Sequence, residues 1–180
     1  MRRTIHKWFW GWDFDREEEW LNHMAARGLA LVAVGFCRYT FEECLPGEYA
    51  VRLELMEQLP ESAEGQQYLR FIEETGAEYL GAITRWAYFR KRTERGGFDL
   101  FSDLDSRLAH LKRILVLFIP FIFLNLWPAC WNLSLFLQNR FWFSLFFSAL
   151  GAAMVALLTY GVFKIWRKRR RLLQERSLHE

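Results

Sequence analysis

Few side chains in this sequence could do chemistry, and their spacing does not favour it. Three consecutive acids, Glu17, Glu18 and Glu19, could supply a general acid or base, and Asp103 with Asp105 could begin a metal site. Both groups fall where a helix is expected to start. The positive end of the helix dipole favours carboxylates there, so a structural role accounts for them. The histidines His6, His23, His110 and His179 are scattered, and none is paired in sequence with a nucleophile. Cys37, Cys44 and Cys130 are odd in number, lack metal-ligand spacing, and give no reason to expect a disulfide framework. The sequence contains no phosphate loop, dinucleotide fingerprint, zinc-ligand cluster or serine nucleophile elbow. The expectation is a protein that is not an enzyme and carries no cofactor or metal.

Charge is distributed unevenly along the chain. The net charge of +3 averages an acid-rich front half and the basic cluster Lys164, Arg167, Lys168, Arg169, Arg170 and Arg171. That cluster follows a strongly apolar region, which points to contact with anionic lipid heads rather than nucleic acid. From Ile114 to Phe163 the only charged residue is Arg140. Two apolar stretches, 114–137 and 141–163, each exceed the roughly 20 residues a helix needs to cross a bilayer core. The intervening Gln138-Asn139-Arg140 is so short that the helices must run antiparallel, as a transmembrane hairpin spanning about 114–166. Lys112 and Arg113 flank the first stretch, and Lys164, Arg167 and Lys168 flank the second. The excess of positive charge at that end predicts a multi-pass cell-membrane protein with both termini cytoplasmic. Trp127, Trp131 and Trp142 near the turn and Trp166 at the other end are the expected interfacial anchors. Pro120 and Pro128 are expected to bend the first helix or end it early. Asn125, Asn132 and the small patch Gly151-Ala152-Ala153 offer helix-contact surfaces.

The elements before the hairpin predict a cytoplasmic α+β domain over 1–95, an amphipathic neck over 96–113 carrying Leu104, Leu108 and Leu111, and a basic tail over 167–180. His6 to Trp12 read as a strand. Asp15, with Glu18 three residues on, reads as a capping box before a helix closed by Gly28. Leu29 to Glu43 form a long β-rich run, which Pro46-Gly47 turns into a strand alternating Tyr49, Val51, Leu53 and Leu55 with polar positions. A second helix over about Ser62 to Thr75 ends at Gly76, and a last strand covers Glu78 to Lys91. The order βαββαβ predicts a ferredoxin-like sandwich. RNA-recognition modules share that order, but would place aromatics where this sequence has Ala50, Arg52 and Glu54. Trp10, Tyr39, Trp86 and Tyr88 are candidates for a partner surface on the open sheet face, unless long side chains and the N-terminal segment cover them.

Three stretches, Trp12-Asp13-Phe14-Asp15 with Glu18 to Leu21, Gly35 to Phe41, and Phe98 to Asp103, resemble bacterial membrane proteins of domain-of-unknown-function family 2812. The resemblance implies a Gram-positive setting, genes often beside a PadR-type transcriptional regulator, and no catalytic residues. With the architecture, it leads to the expectation of a membrane-anchored sensory or regulatory protein. Its cytoplasmic domain would bind a small ligand or a protein partner, either a PadR-type regulator or a second copy. The alternative is an accessory subunit of a larger membrane complex such as a transporter.

Overall fold

The computed structural model describes residues 2–95, 98, 100 and 104–179, with the side chains of 95 and 175–179 excepted. The chain divides into two compact units, Met1–Ser102 and Asp103–Glu180.

The first unit is a mixed α/β structure built twice over the same plan. Strand β1 (Arg2–His6), helix α1 (Phe14–Ala26) and strands β2 (Leu29–Gly35) and β3 (Arg38–Glu43) form the first half. Strand β4 (Tyr49–Leu55), helix α2 (Ala63–Glu74) and strands β5 (Glu78–Ile83) and β6 (Trp86–Arg92) form the second. Each half makes a three-stranded antiparallel sheet, in the orders β1-β3-β2 and β4-β6-β5. Aligning the helix-ending glycines Gly28 and Gly76 places Leu21 on Leu69, Met24 on Ile72 and Phe41 on Phe89, all by one constant offset. The same offset brings the bulge after Leu31 onto the bulge after Tyr79. Gly28 and Gly76 hold φ of 80° and 86°, the left-handed conformation that closes a helix without a Cβ penalty.

This plan replaces the expected βαββαβ order, and four corrections explain the difference. The run Leu29 to Glu43 is two strands, because the chain reverses at Phe36-Cys37, where Cys37 takes φ of 54°. The run Glu78 to Lys91 is likewise a hairpin, turned at Thr84-Arg85 with Thr84 at φ 56°. The first strand lies at Arg2–His6, where Arg2 pairs with Glu42 and Thr4 with Thr40 on β3; residues after it form a loop and a short 3-10 turn, Gly11–Asp13, that buries Trp12. Finally, β4 pairs with β6 and not with β3, so Pro46-Gly47 carries the chain from one sheet to the next instead of closing a hairpin.

Helix α1 starts one residue earlier than Asp15, after Asp13, whose side chain makes no capping bond. Glu18 is not in a capping box: its carboxylate accepts from Leu53 N (3.0 Å) and Arg52 Nη1 (3.1 Å). One turn on, Asn22 Oδ1 accepts from Val51 N (2.8 Å) and Asn22 Nδ2 donates to Val51 O (2.9 Å). A row of helix side chains therefore occupies the edge of β4 that faces away from β6, a position otherwise open to pairing with another chain. Helix α2 follows expectation, with Ser62 Oγ accepting from Gly65 N (3.0 Å) as N-cap.

Two cores result. Leu21, Met24, Leu31, Tyr39, Phe41, Val51, Leu53 and Tyr88 pack together and draw on both halves. Met56, Leu69, Ile72, Ala77, Ala87, Phe89 and Phe98 form the other, between α2 and the second sheet. Phe98, with Leu100 against it, carries this unit beyond the expected boundary at residue 95. Gly96, Gly97, Asp99 and Phe101 to Asp103 of the expected neck lie outside the described residues.

The second unit is an antiparallel helix pair, α3 (Leu104–Asn139) and α4 (Trp142–His179), joined through Arg140 at φ 56°. The helical part of the neck is continuous with α3, and the basic tail with α4. Pro120 and Pro128 stand inside α3, which does not end at either. Gly151 lets the helices close up: a Cβ there would stand 2.9 Å from Ala129 Cβ. Both helices are long and apolar enough to cross a membrane, and only 11% and 17% of their most apolar windows are buried.

Candidate ligand pocket

The first turn of α1 points Glu17 into the interior of the first unit. Phe14, Glu17, Leu21, Met24 and Ala25 form the buried stripe of that helix, so a carboxylate occupies a position that spacing assigns to an apolar residue. Glu17 is 7% exposed. Its Oε1 accepts from Tyr39 Oη on β3 (2.6 Å) and from Tyr88 Oη on β6 (2.5 Å), one hydroxyl from each half of the unit. Oε2 has no hydrogen-bond partner among the described residues. Burial pushes the Glu17 carboxyl up from its ordinary range, and the two tyrosine bonds partly counter this. Burial, reinforced by the neighbouring carboxylate, pushes both tyrosine hydroxyls far up, so they remain donors.

Above this carboxylate lies a pocket of about 140 Å³. Phe14 and Trp86 stand on one side, ring centroids 5.5 Å apart. Trp8 and Phe36 stand edge to face at 5.6 Å on another, both exposed. The loop bearing Lys7, Trp8 and Phe9 is tied to the β2–β3 turn by Lys7 N donating to Cys37 O (3.1 Å). Lys7 Nζ rests over the rings of Phe9 (4.9 Å) and Trp20 (4.5 Å).

Of the four aromatics expected on a partner surface, the structure brings Tyr39, Trp86 and Tyr88 together around this pocket. Tyr39 and Tyr88 are buried, which corrects their reading as exposed sheet-face residues: their rings belong to the core and their hydroxyls are engaged by Glu17. Trp10 lies outside the pocket, stacked on Trp12 at 5.0 Å. Glu17 is more than the helix-start charge that its sequence position suggests, and its place on the apolar stripe is the signal that marks it. Among the described residues no group of three or more histidines, cysteines or acids could hold a metal.

In the second unit Trp127, Trp131, Trp142 and Trp166 are exposed, as is Lys112. Trp166 carries the Arg170 guanidinium 4.1 Å above its ring. Arg113, Lys164 and Lys168 are half-buried and Arg167 exposed. Asn125 and Asn132 do not reach across to α4 with these bonds: each amide donates four residues back along its own helix, to Phe121 O (2.8 Å) and Pro128 O (2.9 Å).

Fold and pocket define a two-unit protein, in which a twice-built α/β unit encloses a carboxylate beneath aromatic walls and a second unit consists of a long apolar helix pair. The chain belongs to the family described as protein of unknown function (DUF2812), whose match covers residues 13–123 and so takes in Glu17, Tyr39, Trp86 and Tyr88. No curated protein and no solved structure matches it.

Proposed function

We propose that this is a membrane-anchored sensory or regulatory protein whose first unit binds a small ligand in the Glu17 pocket. The observation that carries the reading is the Glu17 carboxylate, held by two tyrosines through one oxygen while the other opens to an aromatic-lined pocket, the combination of apolar walls and one placed polar group typical of small-molecule sites. The anchor is the helix pair, crossing the bilayer twice. Support comes from its exposed apolar surface and from the gathering of Lys112, Arg113, Lys164, Arg167 and Lys168 opposite Arg140, an asymmetry that favours cytoplasmic ends.

The test uses the whole chain solubilised in an uncharged detergent. Small compounds of varied charge are screened for stabilisation and for change in tryptophan emission, against a Trp86→Ala variant. The reading requires at least one compound to act on the wild type and lose its effect in the variant. No response to any compound refutes the ligand site. Release of the protein from membranes by alkaline carbonate, or a C-terminal reporter found outside the cell, refutes the anchor.

A further inference from the structure

We infer that the ligand of the Glu17 pocket is a small organic cation, an ammonium group joined to about one ring. This rests on the pocket being a ligand site and specifies the chemistry it selects.

Charge supplies the first argument. Glu17 is the pocket's acid, and both tyrosine hydroxyls donate to the same oxygen, Oε1. Oε2 is left as an acceptor with neither a donor nor an ion-pair partner among the described residues. A guest that displaces water from this carboxylate must replace its hydration with a cation or donors. An ammonium group brings both. A neutral guest leaves the charge uncompensated, and an anionic guest meets it head on.

The walls supply the second. Trp86 and Phe14 line the space beside the carboxylate, and aromatic faces attract cations through their quadrupoles. The same region already shows this preference, since the Lys7 ammonium sits over Phe9 and Trp20. Lys7 is the pocket's own cation, and it is held on those rings rather than in an ion pair with Glu17. Its charge opposes a cationic guest, so removing it should help that guest and harm an anionic one.

Size supplies the third. A space of about 140 Å³ is close to the ~150 Å³ that accepts benzene elsewhere. One ring with a short ammonium arm fits it, and any larger part of a ligand would extend through the open mouth into solvent.

The experiment titrates the full chain, in uncharged detergent at pH 7.5 (roughly a pH unit above neutral histidine titration), with benzylammonium, benzyl alcohol and benzoate, three probes of one shape and different charge. Binding is read by calorimetry and tryptophan emission. Benzylammonium should bind at least about tenfold more tightly than benzyl alcohol, a difference of about 1.4 kcal/mol, and benzoate more weakly than either. Glu17→Gln should erase the preference, while Lys7→Gln should strengthen benzylammonium binding. Lys7→Gln leaves Glu17 and its tyrosines in place, so it decides the matter even if Glu17→Gln does not fold. Equal or better binding of benzyl alcohol or benzoate, or weaker benzylammonium binding in Lys7→Gln, overturns the cation assignment while leaving a ligand site. Binding of none of the three overturns the cation assignment, and the compound screen against Trp86→Ala decides the site itself.

Discussion

Truncating Asn22 to alanine should destabilise the first unit more than an ordinary surface substitution on a helix. The side chain makes three hydrogen bonds: it accepts from Val51 N (2.8 Å) and donates to Val51 O (2.9 Å) and Glu18 O (2.8 Å). Val51 is fully buried, so water cannot take over when the amide is removed. The Val51 N–H is then orphaned, at about 1–3 kcal/mol, while Val51 O keeps the Arg52 guanidinium (Nη1 at 3.2 Å). Alanine returns roughly 0.6 kcal/mol through its better helix propensity. The net loss is about 0.5–2.5 kcal/mol. Urea unfolding of the solubilised chain gives the global figure, and hydrogen exchange of peptides covering β4 gives the local one. The Val51 amide should lose protection first, while amides facing β6 keep theirs until global unfolding. No loss of stability, or unchanged exchange at Val51, would refute the idea that α1 seals this strand edge.

Three further outcomes follow from other sites. Glu17, whose folded carboxyl titrates above its unfolded value, favours the fold while protonated, and that contribution fades as pH climbs from about 4.3 through the raised value. Glu17→Gln should therefore gain on wild type as pH rises from about 4 through that raised value in melting experiments without ligand; a wild type that gains instead contradicts the burial argument. Gly65→Ala should cost about 1–3 kcal/mol by overpacking, because its Cβ would fall 2.0 Å from Leu59 O, and denaturant midpoints would register it. Gly151→Leu should lower the melting temperature of the helix pair in detergent by forcing Ala129 away, with partial rescue by Ala129→Gly; no rescue would mean that the defect lies elsewhere.

The helices were legible because their signals are local. Apolar spacing with Gly28 and Gly76 marked α1 and α2, and a charge-free run marked the helix pair. The hairpins were not, because their reversals fall on Phe36-Cys37 and Thr84-Arg85. Neither pair contains the glycine, asparagine or proline that normally announces such a turn, yet Cys37 and Thr84 adopt the left-handed conformation themselves. Strand β1 was missed for the opposite reason: Arg2, Arg3 and Thr4 are exposed and present no apolar face, while the aromatic alternation just after them belongs to a loop. For the pocket, residue type revealed Tyr39, Trp86 and Tyr88, but only tertiary structure reveals that two tyrosines converge on one oxygen of Glu17. The triplet Glu17-Glu18-Glu19 divides its labour by helical angle: Glu17 faces the pocket, Glu18 faces β4, and Glu19 faces solvent.

The direction of synthesis gives the α1–β4 contact a further meaning. A ribosome releases α1 before it releases β4, so Glu18 and Asn22 wait in water, where polar side chains do no harm. When β4 emerges, the groups that will cover its margin already exist on the same nascent chain. The interval in which that margin could recruit a neighbouring polypeptide is thereby shortened, and crowding during translation becomes less hazardous for this protein than the bare strand order suggests.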